Sequence, residues 1–118
     1  LHYEQLRDTQ QEYGVAMAVH MAETPVACLA AVHSVAATEN FLALEFHSMD
    51  VPWWQDLVEG MEKPIVDNGY ITVSDAPGLG IASLNDEVIR EHVHPDYPEI
   101  WLPTEEWNGD YSHDRTWS

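Results

Sequence analysis

The chain is 118 residues long, with 21 acidic side chains against four Lys+Arg, a formal net charge of −17 and a hydrophobic fraction of 45%. That length holds about one domain, and that apolar content excludes a disordered chain. The charge argues against nucleic acid and anionic membrane surfaces as partners, and no apolar run approaches the roughly 18–20 residues that span a bilayer.

Residues 2–13 carry Tyr3, Leu6, Gln10 and Tyr13 at spacings of three and four, which predicts a surface helix that Gly14 stops. Residues 15–20 form a short, continuously apolar run, the pattern of a parallel-sheet strand buried on both faces. Thr24-Pro25 is a cap followed by proline at the first helical position. The helix it opens runs to about Thr38, and its small residues permit close approach to a sheet. Residues 41–46 read as the next strand. Helix, strand, helix and strand with short connections signal parallel α/β architecture. Two parallel strands keep open edges, so further strands are needed and the chain is expected to be a piece of a longer one.

Beyond Phe46 the character changes. Val51-Pro52-Trp53-Trp54 predicts a short helix begun at the proline. Ile65-Val66, Asn68-Gly69 and residues 70–73 predict a hairpin, because Asn-Gly favours the type I′ turn. Residues 75–80 read as a loop. Residues 83–93 read as a last helix, with Ser83 as cap and Leu84, Val88 and Ile89 inward. From Pro95 onward proline, tryptophan and acid alternate without period, as in a tail that wraps over a surface.

Two polar residues stand near the C-terminal ends of the apolar runs, His20 on the first and Glu45 on the second, where parallel α/β proteins build their sites. Ala16, Ala18 and His20 share one parity, and Phe41, Ala43 and Glu45 share another. A histidine there is either a general base or a structural histidine. A carboxylate in an apolar run is costly unless it has partners or is used. Cys28 is the single cysteine, which excludes an intrachain disulfide, fits a reducing cytoplasm and reads as a small core residue. His33 reads as a packed or capped histidine. His92, His94 and Asp96 have metal-like chemistry but fall at a helix end, where histidines satisfy terminal carbonyls.

The segments 20–27, 36–41 and 42–45, followed by Asn68-Gly69-Tyr70 and Asp75-Ala76-Pro77-Gly78-Leu79-Gly80-Ile81, carry a resemblance in their order and spacing. Over about residues 1–93 the chain resembles the enolase superfamily in its mandelate racemase/muconate lactonizing branch. The interval from His20 to Glu45 is similar to that of the family's acid-sugar dehydratases. The resemblance implies an α/β fold in which residues 1–50 are the last part of a (β/α)8 barrel. Residues 51–118 would be a post-barrel segment of hairpin, helix and wrapping tail, returning to a capping domain.

The chemistry implied is removal of the proton α to a carboxylate, an enediolate held on Mg²⁺, and loss of a β hydroxyl. By position His20 would be the base and Glu45 the group that hydrogen-bonds the enediolate. The Mg²⁺ ligands have no counterpart in these residues and are expected upstream of Leu1, so the segment alone would be inactive. Glu23 in the following loop, His47 just past Glu45, and Trp53 are candidate substrate contacts. Their plainer readings are a loop acid, an exposed loop histidine and, for Trp53 with Trp54, packing against the capping domain. The expected partners are a small sugar acid, the remainder of the barrel, the capping domain and further copies of the chain in the cytoplasm. Alternatives are a racemase or cycloisomerase of the same superfamily, or a non-catalytic scaffold domain.

The acidity has a form of its own. Lys63 is the only lysine and Arg7, Arg90 and Arg115 the only arginines, while Asp and Glu are scattered among apolar residues. This is expected of a folded surface in a salt-loaded cytoplasm, where screening removes self-repulsion. The alternative is an acidic protein whose remaining part is more basic.

Overall fold

Gly14 ends the first helix as its position predicts. Helix α1 covers Tyr3–Glu12, and Gly14 follows at φ +66°, a left-handed conformation that costs glycine little. The computed structural model describes residues 3–96 and 99–101. These belong to two compact units, one reaching to Asn85 and one beginning at Asp86.

In the first unit, strands β1 (Met17–Val19) and β2 (Phe41–Leu44) pair in parallel, joined by helix α2 (Pro25–Ala36). Thr24 is the N-cap of α2 in extended conformation, and Pro25 fills its first turn, where no intrahelical donor is needed. Both strands are shorter than the apolar runs, and the register slips between Met17 and Ala18. Hydrogen bonds continue past the ladder at both ends. Met17 N–H donates to Asn40 O at 2.8 Å, and Glu45 N–H donates to Val19 O at 2.9 Å. The second bond ties the residue after β2 to the end of β1.

Burial differs from the expectation of two covered faces. Met17 is buried, but Leu42 is 70% exposed and Val15 50%. Among the described residues no third strand joins this pair, so the outer edge of each strand is unpaired.

The core of the unit gathers Met21, Cys28, Val32, Trp54, Val58 and Ile65, with Leu44, Phe46 and Val51 at its margin. Burying each of the larger side chains contributes about 1.5–3 kcal/mol before entropy is counted. Cys28 is the core residue its sequence position predicts, and burial pushes its thiol up to about 11. Trp54 departs from expectation: it is buried in this chain's own core, edge-on to Phe46 at 5.0 Å between ring centroids. Its indole N–H donates to Glu23 O at 2.9 Å, so the polar end of the ring is satisfied.

The short helix expected after Pro52 is a single 3-10 turn, Trp54–Leu57, and another, Ser48–Asp50, precedes the proline. The Asn-Gly turn forms as predicted, with Asn68 at φ 48° and Gly69 at φ 82° and reciprocal 2.9 Å hydrogen bonds between Asp67 and Tyr70. Both positive angles are what a type I′ turn requires. Pairing stops at that bridge, so the hairpin's strands do not extend along residues 65–66 and 70–73. Residues 75–80 form the expected loop.

Strands β3 (Val58–Glu59) and β4 (Ser83–Leu84) pair antiparallel, which corrects the reading of Ser83 as a helix cap. The backbone at Ser83 is engaged in the ladder, its hydroxyl donates to Glu59 Oε2 at 2.8 Å, and Leu84 is exposed rather than inward.

In the second unit helix α3 is confined to Asp86–His92, with Asp86 and Glu87 in its first turn and Arg90 and His92 in its last. That order of charges complements the helix dipole. Arg90 Nε donates to Glu99 Oε1 at 2.9 Å and Trp101 Nε1 to Asp86 Oδ1 at 3.1 Å. The expected wrapping tail from residue 102 onward lies outside the described residues. Among those described, no helix is long and apolar enough to cross a membrane.

Candidate active site

His20 follows β1 directly and Glu45 follows β2 directly, so parallel pairing sets the two residues side by side at the same end of the sheet. β2 ends at Leu44, and His47 lies beyond it as the N-cap of the 3-10 turn Ser48–Asp50, at φ −99° and ψ −4°. This turn of the backbone brings His47 against Glu45. Its Nε2 lies 2.6 Å from Glu45 Oε1, while His20 Nε2 stands 3.7 Å from Oε2 of the same carboxylate. The two imidazole rings are 6.0 Å apart, tilted by 41°.

The carboxylate is thus flanked by two imidazoles, one on each oxygen. The hydrogen bond from His47 is the main reason that Glu45 is held below the usual carboxylate range. Partial desolvation opposes it, and the charges of His47 and His20 and the backbone N–H of Met21 reinforce it. All three side chains are exposed, His20 most of all. The site therefore opens to solvent at the end of the strands.

Of the five residues singled out in the sequence, the structure brings together His20, Glu45 and His47. Glu23 is not in that cluster: it is exposed, and its carbonyl receives the Trp54 indole N–H. Trp53 is half-buried at the head of the 3-10 turn Trp54–Leu57. His94 contacts Asp96, with Nδ1 3.5 Å from Oδ2, but the two belong to no group of three ligating side chains among the described residues. The sequence offered His47 as a contact to substrate or, more plainly, as an exposed loop histidine; it is exposed, and its bond to Glu45 was missed. No periodicity marked that bond, since it forms where the chain leaves β2 and enters the 3-10 turn.

Magnesium does not fit this cluster. Mg²⁺ takes oxygen ligands in near-octahedral geometry, whereas two of the three donors here are imidazole nitrogens.

Comparison with known proteins identifies the family. Residues 3–88 match the family described as Enolase C-terminal domain-like. A D-xylonate dehydratase of Haloferax volcanii is 34% identical over 88 residues, covering 75% of this chain and 21% of that protein. The crystal structure of a mandelate racemase/muconate lactonizing enzyme-like protein from Rubrobacter xylanophilus superposes with a TM-score of 0.75 at 33% identity, over 81% of this chain and 24% of that one. The chain belongs to the enolase superfamily, in its mandelate racemase/muconate lactonizing branch, and its fold is that of the C-terminal barrel part of those proteins. It spans about a fifth of the curated relative and about a quarter of the solved structure.

Proposed function

We propose that this chain supplies the base and an adjacent carboxylate to the active site of a sugar-acid dehydratase, a carbon–oxygen lyase. The observation that carries the reading is the pairing of His20 with Glu45 across the ends of two neighbouring parallel strands, 3.7 Å apart. The likeness to a D-xylonate dehydratase supports the dehydration step in particular. On this reading residues 1–50 close the barrel and residues 51–118 return to a capping domain. The partners are a sugar acid, the rest of the barrel, the capping domain and further copies of the chain. A lone buried cysteine accords with a reducing cytoplasm.

His20 as neutral imidazole takes the proton α to the substrate carboxylate, and its exposure leaves the ring accessible to substrate. The resulting enediolate oxygen then needs a hydrogen-bond donor close by. Glu45 is held ionised, so it can donate only after receiving a proton. His47, with Nε2 2.6 Å from Oε1, is the side chain within reach to exchange that proton with it. Mg²⁺ when bound supplies charge stabilisation of the enediolate, and its ligands belong outside this cluster. Glu23 and Trp53 remain candidate contacts for the sugar chain.

The test is α-proton exchange in deuterated solvent with the full-length protein and a panel of aldonates. Replacing His20 with Asn should abolish exchange while Mg²⁺ binding persists. Glu45→Gln should lower kcat far more than it weakens substrate binding. Unchanged exchange in the His20 variant would remove it from the role of base. Exchange without formation of a 2-keto-3-deoxy product would transfer the protein to the racemases or cycloisomerases of the superfamily.

A further inference from the structure

We propose that His20, Glu45 and His47 form a binding site for a divalent transition-metal ion of the Zn²⁺ or Ni²⁺ type, separate from any magnesium site. The donor set decides the class of metal. Two imidazole nitrogens and one carboxylate oxygen suit Zn²⁺, Ni²⁺ and related ions and are a poor match for Mg²⁺ or Ca²⁺.

The spacing is close to what such an ion requires. Ligand atoms about 2.0–2.1 Å from a tetrahedral centre lie roughly 3.3 Å from one another. Here the His20 and Glu45 atoms are 3.7 Å apart, the His47 and Glu45 atoms 2.6 Å, and all three donors lie within 4.8 Å of one another. Shifts of about 1 Å or a little more in exposed side chains would bring them onto one ion. The backbone beneath is fixed by comparison, since Glu45 N–H is bonded to Val19 O immediately before His20. The ion would replace the proton between His47 and Glu45 with a coordinate bond to each, and solvent would fill the remaining position. The inference rests on the geometry of the three donors, and an ion held there would occupy the base proposed above, so metal occupancy and proton abstraction exclude one another.

The experiment is competition for Zn²⁺ between a chromophoric chelator and the full-length protein, stripped of transition metal beforehand and kept in saturating Mg²⁺ so that the magnesium site is filled. It compares the natural sequence with His20→Asn, Glu45→Gln and His47→Gln, whose folding is checked by circular dichroism. One ion per chain is expected, weakened at least tenfold by each single substitution. Replacing His92 and His94 together with Asn should leave the affinity unchanged. Co²⁺ in place of Zn²⁺ should give the visible absorption of a low-coordinate site, lost in the His47 variant. Zn²⁺ held equally well by all three single variants, or lost with His92 and His94, would overturn the proposal. Activity is not read, so this outcome is separate from the fate of the dehydratase assignment.

Discussion

His47 Nε2 sits 2.6 Å from Glu45 Oε1, the shortest contact around a carboxylate that also faces His20 at 3.7 Å. The pair joins two residues of one chain segment and depends on no distant element, so it can be altered without disturbing the fold.

The first prediction concerns the protonation of Glu45. Its depressed value arises first from the His47 hydrogen bond; desolvation opposes this, and the charges of His47 and His20 and the Met21 N–H add to the lowering. In metal-free protein His47→Ala should therefore raise the Glu45 titration toward the ordinary carboxylate range, measured by carboxyl ¹³C NMR. The sign for stability follows from linkage. A carboxyl depressed in the folded state stabilises fully above its unfolded value, and that contribution is lost as pH falls through the folded value. The natural sequence should thus lose its advantage over the variant on acidification from the ordinary carboxylate range downward. A Glu45 titration unmoved by the substitution would show that the bond is not formed in solution.

The second prediction concerns Trp54, whose ring meets Phe46 edge-on while its N–H satisfies the Glu23 carbonyl. Trp54→Phe keeps an aromatic ring but leaves that carbonyl without the indole donor, at a cost of about 1–3 kcal/mol. Trp54→Ala removes the packing as well and should cost about 3–5 kcal/mol. Denaturant midpoints of the two variants test the order. Equal midpoints would mean the hydrogen bond carries the whole effect and the ring contact none.

How much of this was legible beforehand depends on the range of the interaction. The βαβ unit was, because local rules govern it: Gly14, Thr24-Pro25 and two apolar runs act within a few residues of themselves. His20 and Glu45 were legible for the same reason, as polar residues at the ends of those runs. The pairing of β3 with β4 was not, since Val58–Glu59 and Ser83–Leu84 are two residues each and carry no periodicity. Ser83 followed by acidic and apolar residues has the form of a helix start, and long-range backbone pairing overrode it. Trp54 was misplaced, read with Trp53 as packing against a capping domain, because the Phe46 ring and Glu23 carbonyl that bury and satisfy it come from other parts of the chain. The bond from His47 to Glu45 was not legible either, because it forms beyond the end of β2, where the backbone turns into Ser48–Asp50.

The third prediction uses a close approach. Gly60 lies at φ +85°, and a Cβ built on it would come within 2.4 Å of Ala82 Cβ and 2.8 Å of Ala82 N. Gly60→Ala therefore combines backbone strain with a clash against the strand pairing beside it, and should cost about 2–4 kcal/mol. Gly14 is the control: it too has positive φ, +66°, but nothing lies within 4 Å of a Cβ there. Gly14→Ala should cost about 1–2 kcal/mol, the conformational part alone. Equal destabilisation of the two variants would show that the contact with Ala82 relaxes without cost.

The last prediction concerns salt. Three of the four cations are already used locally: Arg7 with Asp8 at 2.7 Å, Lys63 with Asp56 at 2.7 Å and Arg90 with Glu99 at 2.9 Å. Against 21 acidic residues these pairs leave most of the negative charge uncompensated. In dilute buffer each neighbouring pair of carboxylates costs on the order of a kcal/mol or less. Their sum rivals the roughly 5–15 kcal/mol by which a domain is stable. Screening relieves most of this below about 0.5 M, where the Debye length is already a few ångströms. Any further gain has to come from strengthened hydrophobic association or from hydrated cations held among the carboxylates. The full-length protein should therefore lose activity in low salt and continue to gain melting temperature from about 1 to 3 M KCl, beyond the range in which screening acts. A melting temperature that is flat across that upper range would leave screening as a sufficient cause, and the surface would not be one adapted to a salt-loaded cytoplasm.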